Sequence, residues 1–113
     1  MKPEGWHATL ASFEEGLAES DTPFFRGLAH GSMELELYRP VGADLQTPHT
    51  RDELYIVRQG NGTFERDGER IPFGPGDALF VPAQMEHRFV EFSDDFDTWV
   101  IFWGPEGGEQ HAD

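Results

Sequence analysis

The regular placing of glycine and proline constrains this chain more than any other feature. Pro40-Val41-Gly42, Gly60-Asn61-Gly62, Asp67-Gly68, Gly74-Pro75-Gly76 and Pro82-Ala83 cut its middle into short pieces at 33–39, 54–58, 63–66, 78–81, 87–92 and 98–103. Such pieces are too short for stable helices and have the length of strands joined by tight turns. Met33, Leu35 and Leu37 alternate with Glu34, Glu36 and Tyr38, the period of two expected when one face of a strand is buried. Asp67-Gly68, set between two such pieces, predicts a two-residue hairpin. Trp99-Val100-Ile101-Phe102-Trp103 is apolar on both faces. That pattern predicts a strand whose outer side is covered as well, by the N-terminal segment or by a second copy of the chain.

The first thirty residues differ. Leu10, Phe13 and Leu17 recur at helical spacing, and Ser12 with Glu15 suggests a capping box. Phe24-Phe25-Arg26-Gly27-Leu28, opened by Pro23, predicts an added strand. The expected organisation is an N-terminal helix or strand extension over residues 1–30, a barrel over 31–104 and a flexible tail over 105–113 with nothing to bury. The fold class is all-β, as a barrel or a two-sheet sandwich.

Composition narrows the function. The chain has 113 residues, enough to bury one core, and its ten Phe, three Trp and two Tyr argue against disorder. Cysteine is absent, which removes disulfides, thiolate metal sites and cysteine nucleophiles. Twenty-two acids against eight bases give a charge of −14, a field that repels nucleic acid and anionic membranes. No run approaches the ~20 apolar residues of a spanning helix, and no signal-peptide pattern opens the chain, so a cytoplasmic location is expected.

Of the five histidines, His7 and His111 lie near the termini and His30 reads as a solvated turn residue. His49 and His87 adjoin proline-marked strand edges, and each has a carboxylate four residues on, Glu53 and Glu91. Imidazole and carboxylate are what a borderline divalent cation requires in a protein without thiolates. By itself a His-x-x-x-Glu pair is more commonly a surface pair than a ligand set.

The two histidines also sit in a longer pattern, and here the sequence resembles the cupins, small barrels of the double-stranded β-helix or jelly-roll type. Their second motif reads Gly, five residues, Pro, one, Gly, two, His, three, Asn. Residues 76–91 keep that spacing with Gly76, Pro82 and His87 in place, Gln84 for the second Gly and Glu91 for the Asn. Their first motif ends with His, one residue, His, three or four, Glu, six, Gly. His49, Glu53 and Gly60 fit its second His, Glu and Gly without insertion, and Thr47 stands where the first His should be. An alternative alignment makes His49 the first histidine and Arg51 the second, at the cost of a deletion. Both leave the same ligands.

The resemblance implies a single divalent transition metal, Fe(II), Mn, Ni or Zn, held by His49, Glu53 and His87. The position of Thr47 is left to water or to Gln46 or Asp44. It implies a small-molecule ligand and a homodimer as well. On strand parity Tyr55, Val57 and Phe89 should point inward with the ligands, whereas Glu91 could face either way, joining Asp94, Asp95 and Asp97 on an acidic surface if it points outward. Tyr55 and Arg51 are the expected substrate-orienting or catalytic groups. For Arg51 a solvated turn residue paired with Asp52 is the plainer reading. The functional expectation is a metal-dependent enzyme acting on a small organic molecule, oxygenase-like or isomerase-like. The alternative is a non-catalytic cupin that captures a ligand or metal for sensing or storage.

Overall fold

The computed structural model describes residues 5–110; His111 and the ends of the chain lie outside the described residues. One helix, α1 (Leu10–Glu19), precedes eight strands: β1 (Phe24–His30), β2 (Met33–Tyr38), β3 (Asp52–Gln59), β4 (Gly62–Arg66), β5 (Glu69–Phe73), β6 (Ala78–Val81), β7 (His87–Phe92) and β8 (Asp97–Trp103). They form a five-stranded sheet in the order β1-β2-β8-β3-β6 and a three-stranded sheet in the order β5-β4-β7, with every pairing antiparallel. The expected strands are therefore present, and both the helix and the added strand exist.

Between the sheets lies an aromatic core. Tyr55, Val57, Val81 and Val100 from the large sheet meet Phe64, Phe73 and Phe89 from the small one, with Phe96 closing the far end. The β4–β5 hairpin turns on Asp67 and Gly68, at φ 50° and 85°, the two left-handed positions that its tight turn demands.

A second core lies outside the barrel. Phe13 and Leu17 of α1 pack on Leu37, Leu35, Phe25, Leu28 and Trp99, so α1 covers the outer face of β1, β2 and β8. The Phe13 ring stands edge-on to Trp99 with centroids 4.9 Å apart. The N-terminal segment thus provides the cover that the two-sided apolar strand requires. Two glycines let the layers approach: a Cβ on Gly16 would lie 2.4 Å from the Phe25 ring, and one on Gly27 would lie 2.4 Å from the Phe13 ring.

Several local expectations are corrected. Thr9, not Ser12, caps α1: its hydroxyl accepts from the Ser12 amide at 3.1 Å, and the Ser12 hydroxyl donates back to the Thr9 carbonyl at 2.8 Å. The sequence predicts a flexible tail after β8 with nothing to hold it. Instead the Gly107 amide donates to the Thr50 carbonyl at 2.6 Å and the Glu109 amide to the Asp52 carboxylate at 2.9 Å. Asp97 is no surface acid. It is fully buried and bound by Arg39, Arg58 and Gln59, whose guanidiniums also reach Glu14 of α1 in the case of the two arginines.

The faces of β2 carry a further result. Its apolar residues Leu35 and Leu37 look outward under α1, and Glu34, Glu36 and Tyr38 look into the sandwich. The alternation identified a buried face correctly; which face belongs to the interior depends on what covers the other one.

Candidate metal centre

Three groups converge near one end of the sandwich. Glu53 is the second residue of β3, a strand flanked on both sides by β8 and β6, and it shares inward parity with Tyr55 and Val57. His87 opens β7 on the facing sheet. His49 comes from the connection between β2 and β3, which folds back across the opening. The ligand atoms of His49, Glu53 and His87 lie within 4.8 Å of one another, the group of this kind found among the described residues. His87 Nε2 is 2.8 Å from Glu53 Oε1, and His49 Nε2 is 3.9 Å from the same oxygen.

Glu53 is 1% exposed, and neither of its oxygens has a hydrogen-bond partner. A buried carboxylate with both oxygens unsatisfied is costly unless a cation completes it. His87 is oriented to the same end. Its Nδ1 lies 2.9 Å from the Met85 carbonyl, which can only accept, so Nδ1 carries the hydrogen and the Nε2 lone pair of the neutral ring faces Glu53. Two acceptors brought to 2.8 Å call for a positive centre between or beside them. Two atoms bound to one ion at ~2.1 Å can be no more than ~4.2 Å apart, and both measured separations fall inside that limit. The residues fit a divalent ion.

Electrostatics agree. Burial pulls His87 down, but the adjacent Glu53 carboxylate outweighs it and raises the pKa, so the place beside Glu53 draws positive charge. His49 is lowered, first by burial and also by His87, against an opposing pull from Glu53. A histidine held neutral is a ready ligand. Burial first, then the Glu53 charge, raises Tyr55 well above the phenol range, so its hydroxyl keeps its proton. That hydroxyl sits 3.1 Å from His87 Nε2 and donates to Gln46 Oε1 at 3.0 Å.

His49 and Glu53 of the cluster, with Tyr55 and Gln46, form part of the wall of a cavity of about 800 Å³, a size suited to a small organic molecule. Phe24, Val41, Leu45 and Phe102 give it apolar walls, and Glu34 and Glu36 add acidic ones. Glu36 is raised to about 7 by burial, then by the neighbouring charges of Glu34 and Glu53, against Arg26 and Arg51.

Arg51 also lines the cavity, but not as a partner of Asp52. It bonds the Ser32 carbonyl at 2.7 Å, lies 3.1 Å from Glu34 and sits 5.6 Å above the Phe102 ring. Asp52 is buried and accepts instead from the Ala83 and Glu109 amides. Glu91 is exposed, because an extra residue in β7 at Val90 reverses the parity after Phe89. Thr47 is exposed, whereas Gln46 and Asp44 are turned toward the cluster. Glu34 and Glu36 were missed by sequence reasoning; two acids alternating with leucines look like a solvated face.

Two facing antiparallel sheets with a His–Glu–His cluster at one end define a jelly-roll sandwich with a candidate metal centre. The family model described as "Cupin domain" matches residues 35–103, and the chain belongs to that family. It is 31% identical over 99 residues to an uncharacterized protein of Streptomyces coelicolor, covering 86% of this chain and 94% of that one. It is also 29% identical over 86 residues to the polyketide synthase CurC of Streptomyces cyaneus, covering 74% of this chain and 55% of that protein. Among solved structures, a cupin superfamily protein from Desulfitobacterium hafniense superposes with a TM-score of 0.60 at 21% identity, covering 89% of this chain and 93% of that one.

Proposed function

We propose that this cupin holds one divalent transition metal at His49, Glu53 and His87 and uses it to act on a small organic molecule in the adjoining cavity. One observation carries the reading: both oxygens of buried Glu53 lack a hydrogen bond while the lone pair of His87 faces them. A divalent ion bound there would supply Lewis acidity toward a carbonyl, enolate or similar oxygen of the substrate. The likeness to a polyketide synthase supports a substrate rich in ketone, enol or phenol oxygens.

The chain's own groups suit proton movement on such a molecule. Glu36, with a pKa of about 7, can take or give a proton near neutrality from a cavity wall. Tyr55 stays protonated and orients groups beside His87 through its hydroxyl. Arg51 spends its charge on Glu34, so it shapes the wall and leaves no free cation there for a substrate carboxylate. Phe24, Val41 and Leu45 would shield an apolar ring from water. The reaction class is isomerase-like proton transfer on a small oxygen-bearing substrate.

The charge of −14 supports the absence of nucleic acid from this function. A cytoplasmic homodimer is proposed as the working form, with exposed Ile71 and Phe80 available for an interface.

Metal analysis of protein purified without chelator tests the central claim, alongside His87→Ala. About one metal per chain in the wild type and its loss in the variant are expected. Stoichiometric metal that survives the substitution would overturn the reading. A screen of keto and phenolic compounds with the loaded protein then separates turnover from binding alone.

A further inference from the structure

Resting on the metal reading above, we propose that the side-chain amide oxygen of Gln46 is the fourth protein ligand. It would fill the coordination position that the family motif gives to a histidine and this chain gives to Thr47. Thr47 is exposed, and its hydroxyl is a weak donor to such ions. The residue before it is the one turned inward.

The orientation of the Gln46 amide is set by its neighbours. One end lies 2.6 Å from Asp44 Oδ2, and a carboxylate only accepts, so that end is the NH₂. The oxygen therefore points the other way. There it accepts from the Tyr55 hydroxyl at 3.0 Å and lies 3.3 Å from His49 Nε2. Tyr55 in turn stands 3.1 Å from His87 Nε2, so the amide oxygen borders the same space as the three other donors.

Asp44 is the anchor of this arrangement and not itself a ligand. It is 3% exposed, and both its oxygens are occupied: Oδ1 by the Tyr38 hydroxyl and the Gln46 amide N–H, Oδ2 by the Phe89 amide N–H at 2.9 Å and the Gln46 side chain. Its bonds reach β2 and β7, one strand from each sheet, so the loop carrying Gln46 is fastened across the opening. A buried acid that fixes one end of an amide and leaves the oxygen facing a ligand cluster behaves as the group standing behind a metal ligand. The resulting donor set is two imidazoles, one carboxylate and one neutral carbonyl oxygen, a set that suits Mn(II), Fe(II), Ni(II) or Zn(II).

The competing role for Gln46 is to hold His49 in place through a hydrogen bond, and the two roles predict different hydration of the ion. The test uses the full chain loaded with Mn(II), with affinity read by chelator competition and the number of inner-sphere waters by water-proton relaxation. Gln46→Ala and the length-preserving Gln46→Met are expected to weaken affinity by ~10–100-fold and to add one water to the bound ion. Thr47→Ala should change neither quantity. Weakened affinity with an unchanged water count in a folded variant would overturn the proposal and leave Gln46 as a positioning residue. Unchanged affinity would overturn both roles. Failure of the wild type to bind Mn(II), Zn(II) or Ni(II) at all would instead sink the metal reading on which this one rests.

Discussion

His87 Nε2 and Glu53 Oε1 face each other at 2.8 Å from opposite sheets, and no hydrogen bond satisfies the carboxylate. The Met85 carbonyl holds the ring hydrogen on the far nitrogen. Without a metal, the pair is relieved by a proton on His87, which is why its pKa is raised. Metal and proton therefore compete for one place.

That competition sets the pH dependence of metal binding. Because His87 is raised above its usual 6.5, protons begin to displace the metal above pH 6.5 and not below it. Affinity should fall about tenfold per pH unit once His87 titrates. It should fall more steeply when His49, lowered chiefly by burial, titrates in turn. Chelator competition between pH 5 and 8.5 measures this; an affinity flat across that range would contradict both ligand assignments.

Glu53→Gln separates stability from binding. Where His87 is neutral, the buried Glu53 side chain has no hydrogen-bond partner, whereas a glutamine there could donate to Nε2. The metal-free variant is expected to be more stable than wild type by about 1 kcal/mol and to lose the thermal stabilisation that metal confers on the wild type. Melting curves with and without Zn(II) at pH 9 read both effects. A variant that is destabilised yet still stabilised by Zn(II) would count against the site.

Glu36 makes stability fall as the pH rises from 4.5 to about 7. Its folded pKa of about 7 exceeds the ordinary 4.5, so between those values the folded chain binds more protons than the unfolded one. The cost of ionising it is absent below pH 4.5, grows through that window and is complete above about pH 7. Glu36→Gln should therefore raise the melting temperature at pH 8 by a few degrees, about 1 kcal/mol, and change it little at pH 4. Thermal melts at the two pH values decide it.

Packing outside the barrel should matter for stability and not for the site. An added methyl on Gly27 would run into the Phe13 ring at 2.4 Å. Gly27→Ala is expected to cost about 1–3 kcal/mol in chemical denaturation. Metal affinity in the folded variant should stay within a factor of two or so of wild type, since Phe13 faces Leu37 and Trp99 and no ligand.

Much of this was legible before folding was considered. The breakers between 40 and 83 delimit β2 to β7, Asp67-Gly68 marks the β4–β5 turn, and the spacing of His49, Glu53 and His87 places the cluster that the structure gathers. These are properties of neighbours along the chain: turn geometry at a glycine, side chains alternating along a strand, and motif spacing measured in residues.

Other features answer to groups far apart in sequence. That Glu36 looks inward follows from α1 covering the opposite face of β2. That Glu91 points away follows from a bulge in the pairing with β4. Asp97 is a buried anchor only because Arg39, just after β2, and Arg58 of β3 come together to neutralise it. Gln46, in place of Thr47, meets the ligands because Asp44 is fastened across the two sheets. Local spacing can say which side chains share a face, but the direction that face looks depends on what the rest of the chain packs against it.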